Sequence, residues 1–207
     1  MVGLQSLVVT APDEIRDELI GLTPRRMVRT CAELSPESSP TTPAEAAIAG
    51  LRMLARRYEH LELEAKLLGA QIAALVRLAC PELLDLFGVG PEIAATVLVA
   101  VGDNGGRLSS ERALAKVCGV APRDASSGRQ QRHRLNRGGN RQANQALHTL
   151  VVVRLRSHTP SRQYMARRLA EGKTKKEVMR CLKRYVAREI YATIQHGLAD
   201  AKQPRTA

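Results

Sequence analysis

The most regular alternation of apolar and polar positions begins at Thr42. Thr42 and Glu45 have the spacing of a capping box, and Pro43 takes the first helical position. Behind them Leu51, Leu54, Tyr58, Leu61, Ala65, Leu68, Ile72, Leu75 and Ala79 recur at spacings of three and four. That seam, sustained over about four heptads, predicts a helix over 44–80 in a coiled coil or a long antiparallel helical pair. At 1.5 Å per residue it would extend roughly 55 Å. One apolar stripe cannot bury itself. The partner is either a predicted helix over 25–34 or a second copy of the chain, and a homodimer or higher oligomer through residues 44–79 is the expectation.

The pattern is weaker on the N-terminal side. Val8 and Val9 end a short apolar piece, Pro12 opens a helix predicted through Leu22, and Thr23-Pro24 opens the next. Prolines and serines in residues 35–43 read as a linker, so 1–43 is expected to be remnant helices and a linker. On the C-terminal side Pro81 starts PELLDLFGVGPEIAATVLVAVGD, two short helices flanking Phe87-Gly88-Val89-Gly90. This has the form of a helix–hairpin–helix. Gly88 and Gly90 permit a tight turn, and free N–H groups at the second helix's start can hold a DNA phosphate. An ordinary helical turn is the plainer reading, and Glu82, Asp85 and Glu92 weaken an anion site.

A short helix over about 110–118 is stopped by Gly119, and Val120-Ala121-Pro122 runs extended into a Ser/Arg-rich segment. Asn140 caps a helix expected to bury Ala143, Leu147, Leu150 and Val151 while Arg141, Arg154 and Arg156 point elsewhere. Thr159-Pro160 starts another helix and Gly172 stops it. Thr174 and Glu177 make a second capping box before Val178, Leu182, Val186, Ile190 and Ile194, whose opposite face carries Lys176, Arg180, Lys183, Arg184 and Arg188. The expected fold is mainly α: a long coiled-coil helix, then a compact helical domain over 81–199 with the hairpin and a short extended Ser/Arg-rich segment, and a disordered tail over 200–207.

Charge adds what periodicity cannot. Residues 1–80 carry 9 Lys/Arg against 10 Asp/Glu, residues 81–128 carry 4 against 6, and residues 129–207 carry 19 against 4. The whole net charge of +12 therefore stems from the last block, which points to a polyanion and most directly to double-stranded DNA. Aromatics make up 2% of the chain, which counts against readout of single strands by stacking. Cys31, Cys80, Cys118 and Cys181 stand far apart without a Cys-x-x-Cys pair, so neither zinc nor a disulfide framework is expected. Apolar runs are too short to span a bilayer, no signal peptide is visible, and the reading is a cytoplasmic protein with no membrane partner.

The candidate chemistry lies in SSGRQQRHRLNRGGNRQAN, residues 126–144. Ser126 and Ser127 precede Gly128 and a run of cations, Arg129, Arg132, Arg134, Arg137 and Arg141, with His133 among them and no carboxylate. A hydroxyl can attack a phosphodiester when cations stabilise the charge that builds on the phosphoryl oxygens. Arg suits this because its planar fork pairs with two phosphate oxygens. A solvated basic loop with a Ser-Gly turn explains the local spacing equally well.

Three stretches in order carry a resemblance: GVGPEIAATVL, then ALAKVCGVAPRDASSGRQQRHRLNRGGNRQANQALHT, then YMARRLAEGKTKKEVMRCLKRYVAREIY. Together they resemble the C-terminal part of the DEDD-type transposases of bacterial insertion sequences, the IS-one-ten family, to which the Piv-type DNA invertases are related. The resemblance covers residues 44–195 and extends more loosely back to residue 7. It implies DNA strand cleavage and rejoining through a covalent phosphoserine, matching Ser127 best with Ser126 as the adjacent alternative. It also implies a structured guide RNA in members that use one, while the glycine turn, the cation run and the basic face of the last helix offer nucleic-acid contacts at Gly88, Gly90, Arg129, Arg132, His133, Arg134, Arg137, Arg141, Arg180, Lys183 and Arg184. Full members place a RuvC-like domain with four metal-binding carboxylates before the coiled coil. Asp13, Glu14, Asp17 and Glu18 crowd one helix and do not reproduce that dispersed set. The expectation is therefore no cofactor in this chain, Mg²⁺ only with the missing RuvC-like domain, and a truncated or split transposase inactive alone. A non-catalytic duplex DNA- or RNA-binding protein is the competing reading.

Overall fold

The computed structural model describes residues 2–35, 40–102, 109–124, 133–134 and 138–200. Among these the fold is mainly α: α1 Val2–Val9, α2 Asp13–Leu19, α3 Pro24–Glu33, α4 Pro43–Ala79, α5 Pro91–Val101, α6 Glu111–Val117, α7 Arg141–Ser157, α8 Thr159–Ala170 and α9 Lys175–Asp200. Two-residue strands β1 (Arg123–Asp124) and β2 (His133–Arg134) pair antiparallel, Arg123 opposite Arg134 and Asp124 opposite His133. No described helix is long and apolar enough to cross a membrane.

The chain divides into two units, residues 1–68 and 69–207. In the first, α1, α2 and α3 bury Leu4, Val8, Leu19, Met27, Val28 and Cys31 against Leu51 and Ala55 of α4. The apolar piece that ends at Val9 is thus helical, because its neighbours supply a surface to bury it. The first positions of the α4 seam find their partner within the chain, α3 included. Of the following ones Ile72 packs at the edge of the second unit's core, whereas Leu61 is 49% exposed, Leu68 51% and Leu75 65%. Both expected capping boxes close. Glu45 Oε2 accepts from Thr41 N at 2.7 Å and Thr42 N at 3.3 Å while Glu45 N donates to Thr42 Oγ1 at 3.2 Å. Those hydrogen bonds hold the Glu45 carboxyl below its usual range.

The second unit is built round α7 and α9. Ala143, Leu147, Leu150 and Val151 of α7 meet Val178, Leu182, Val186, Ala187, Ile190 and Ile194 of α9 in one core. That core takes in Val76 of α4, Leu83, Val89, Val97 of α5 and Leu114 of α6. Aliphatic side chains fill it, each contributing about 1.5–3 kcal/mol when fully buried. The segment before Gly88 is a 3-10 turn, Pro81–Asp85, and not a first α-helix of a hairpin. Thr174 and Glu177 cap α9, Thr174 N donating to Glu177 Oε2 at 2.9 Å.

Candidate nucleic-acid interface

The Ser/Arg-rich segment leaves and rejoins the core at one clamp. Ser110 caps α6 by accepting from Ala113 N at 3.2 Å, and Gly119 ends it with φ +64. Val120 N and Ala121 N then both donate to Ala115 O, at 2.8 and 3.0 Å. On the return side Asn140 N donates to Val117 O at 2.7 Å, and the Asn140 side chain caps α7 by accepting from Ala143 N at 3.0 Å. Asn144 Nδ2 bridges to Cys118 O at 2.9 Å and Gly119 O at 3.1 Å, while Asn144 Oδ1 accepts from Lys183 Nζ at 2.8 Å. Both ends of the excursion are therefore tied together, with β1 and β2 just beyond the knot.

The clamp leaves no room at Gly139, where a Cβ would stand 2.2 Å from Gly119 N and 2.3 Å from Gly119 Cα. Backbone cannot step aside as a side chain can. Gly139→Ala is expected to cost about 1–3 kcal/mol in denaturant unfolding. Gly69→Ala in α4, which meets nothing within 4 Å, is expected to stabilise by up to about 1 kcal/mol instead.

Gly88 turns the chain with φ +81, and its Cβ would press on Leu150 and Val153 of α7 at 3.1 and 3.2 Å. Gly90 precedes α5 with no side-chain cap, so first-turn amides of that helix stay open, although Glu92 sits among them. The turn is fastened from beneath by Arg154, which is 5% exposed. Its Nε donates to Phe87 O at 2.9 Å and its Nη1 to Glu189 at 2.6 Å. The expectation that Arg154 points away from the core is corrected here: at three and four residues beyond Val151 and Leu150 it continues the apolar stripe of α7. Phe87 stacks on His158, ring centroids 4.9 Å apart, and His158 Nδ1 lies 2.8 Å from Ser161 Oγ. A groove of about 550 Å³ separates α5 from α7, lined by Glu92, Ile93, Thr96, Arg141, Gln142 and Gln145 among others.

The structure thus brings the first turn of α5, just beyond Gly90, and exposed Arg141 to one groove. It treats the α9 cations differently from one another. Arg180 is exposed. Arg184 is half-buried and pairs with Glu111, which also holds Arg188 at 3.1 Å. Lys183 is 7% exposed and turned to Asn144. Burial first and Arg180 second push its pKa down. The sequence carried a signal for this burial, since Lys183, Ala187, Ile190 and Ile194 form a stripe of their own. Ser126, Ser127, Arg129, Arg132 and Arg137 lie outside the described residues; of His133 and Arg134 the backbone in β2 is described.

Sequence reasoning missed Asn144, Arg154 and the meeting of Tyr164 with Tyr185. Their partners lie 35 residues away (Arg154 to Glu189) or 39 (Asn144 to Lys183), beyond any local periodicity. Burial, ahead of Cys181 and Tyr185, pushes the Tyr164 hydroxyl up to about 12, which keeps it protonated. Burial also pushes the Cys80 and Cys118 thiols up to about 11, unfit for a nucleophile.

The metal site implied by the resemblance finds no fitting residues among those described. Among the described residues no group of three or more His, Cys, Asp or Glu could hold a metal ion, and Asp13 and Asp17 both face Arg16.

Residues 80–166 match the model of the transposase IS116/IS110/IS902 family. The chain is also 35% identical over 133 residues to the insertion element IS110 uncharacterized 43.6 kDa protein of Streptomyces coelicolor. That alignment takes in 63% of this chain and 33% of the relative, so the chain spans about a third of that relative's length. Part of the chain, including the glycine turn, α5, α6, the clamp and α7, is therefore homologous to these transposases.

Proposed function

We propose that residues 69–200 are the DNA-gripping and strand-transferring portion of an insertion-sequence transposase. The observation that carries this reading is the family match over 80–166, which spans the glycine turn and the clamped Ser/Arg-rich segment. In the proposed reaction the Ser127 hydroxyl gives up its proton and forms an O–P bond as a sugar oxygen leaves the same phosphorus. A sugar hydroxyl of another strand later reverses the step, so each phosphodiester is conserved without an external energy source. Ser126 is the neighbouring alternative. The cations after Gly128 stabilise the charge on the phosphoryl oxygens, and the open first turn of α5 with Arg141 positions the duplex by its backbone. A carboxylate-bearing, metal-binding domain of RuvC type is supplied to this portion from outside the described residues. The exposed run of α4 from Leu61 to Leu75 pairs two copies.

Duplex binding with little sequence preference and steep salt dependence is the expected result. Neutralising several phosphates releases their counterions, and affinity should fall roughly 100-fold or more between 50 and 200 mM salt. Titration of the chain against unrelated duplexes at those two concentrations tests it. Salt-insensitive binding, or none at low salt, overturns the reading.

A further inference from the structure

The chain has four tyrosines, one phenylalanine and no tryptophan, and two of those tyrosines meet on one surface. Tyr164 of α8 and Tyr185 of α9 stand edge to face, ring centroids 5.4 Å apart and planes at 75°. The guanidinium carbons of Arg167 and Arg168 lie 5.5 and 5.9 Å from the Tyr164 centroid, and that of Arg188 lies 5.6 Å from Tyr185. Helical spacing alone explains each Arg over its own helix's Tyr. It does not explain why the two rings meet across helices while Tyr185 stays 51% exposed. Glu171 faces Arg167 and Arg168, and Glu111 faces Arg184 and Arg188. Two carboxylates among four guanidiniums leave the patch positive.

We propose that Tyr185, backed by Tyr164 and flanked by these arginines, is a stacking platform for the unpaired bases of single-stranded DNA. A duplex keeps the faces of its bases inside the stack, whereas an unpaired base offers a π-face to a ring or a guanidinium plane. The surrounding positive charge complements the phosphates on either side of that base. The choice of DNA rests on the proposed role in strand transfer, since strands that change partners pass through an unpaired state. Low aromatic content does not oppose this: one stacking position needs one exposed ring, and this fold places it among cations.

Because the chain lacks tryptophan, Tyr185→Trp in the full 207-residue protein installs a single reporter at the platform. Oligothymidylate, which cannot pair with itself, is expected to quench its fluorescence, and a blunt duplex is not. Tyr58→Trp, in the other unit, serves as the control and should stay unquenched. In anisotropy with labelled oligothymidylate, Tyr185→Ala should weaken binding about fivefold or more, the low end for loss of one stacked base. Tyr185→Phe should restore it, and duplex affinity should hold within about twofold in both variants. Circular dichroism establishes that each variant keeps its helix content. Equal quenching by duplex, or unchanged strand affinity in Tyr185→Ala, overturns the platform. Preference for oligouridylate over oligothymidylate overturns the choice of DNA. Quenching by the strand without any duplex binding overturns the proposed function and leaves the platform standing.

Discussion

If two copies pair through α4 as proposed, replacing Leu61 and Leu68 together with lysine should leave the chain a monomer. In α4 the apolar seam continues past Ala55, where the internal core stops, and Leu61 and Leu68 stand 49% and 51% exposed. A second copy would cover both leucines on each chain, four side chains in all. Each is already about half covered, so pairing contributes roughly half of the about 1.5–3 kcal/mol of full burial, and the pair of substitutions removes roughly 3 kcal/mol or more from association. At 1.4 kcal/mol per tenfold, that weakens the dissociation constant by about two orders of magnitude, before counting repulsion among four ammonium groups. Light scattering of the two proteins at matched concentration reads the result. Circular dichroism should show the α4 double variant still folded, because Leu51 and Ala55, which anchor the first unit, are untouched. An unaltered chain that is already monomeric refutes pairing through this seam.

What the sequence made legible follows the range of the forces involved. Capping boxes at Thr42/Glu45 and Thr174/Glu177 are local hydrogen-bond exchanges within four residues, and both close as their spacing implies. Asn140 as the cap of α7 is equally local, and its side chain accepts from Ala143 N. The apolar stripe of α9 is read correctly for the same reason: a period needs only one helix. The hidden part is where charged groups complete a stripe. The chemistry of Arg154 and Lys183 assigns them to solvent, although their registers belong to the buried faces of α7 and α9. Each is tolerated inside because a partner from a distant element meets it, Glu189 with Phe87 O for one and Asn144 for the other. No local pattern announces such partners. The candidate serines are a different case, since they and three of the arginines lie outside the described residues, and only the clamp that anchors their segment is in view.

Those buried cations also separate two kinds of positive charge in the basic block. Arg154 and Lys183 hold backbone in place: one fixes the carbonyl of Phe87 at the glycine turn, the other fixes Asn144 and through it the carbonyls of Cys118 and Gly119. Exposed Arg141 and Arg180 remain available to a phosphate. The formal charge of the block therefore overstates what a duplex meets, and the salt slope counts phosphates neutralised rather than lysines and arginines present.

Ser127→Ala should abolish a covalent protein–DNA adduct while leaving salt-dependent duplex binding nearly unchanged. The chain alone, even with Mg²⁺, is expected to cleave nothing, because in the proposed reaction the metal-binding carboxylates come from a separate RuvC-type domain. The assay therefore supplies the metal-binding domain of a full-length relative in trans, with that relative's guide RNA where it uses one. Adduct is then followed by its retarded migration under denaturing conditions. Removing the nucleophilic oxygen leaves nothing at that position to bond to phosphorus, so the expected loss is complete and not a graded weakening. Binding survives because it rests on cations and open amides elsewhere, the first turns of α5 and α7 among them. Ser126→Ala should do much less, since the adjacent hydroxyl still precedes Gly128 and the run of arginines. Gly139→Ala gives a third, separate outcome. By pushing Gly119 away it disturbs the clamp at the base of the segment, and it should lower the adduct yield while both hydroxyls remain. Adduct that survives Ser127→Ala and vanishes with Ser126→Ala moves the chemistry one residue. Adduct that survives both rules out a serine mechanism for this protein.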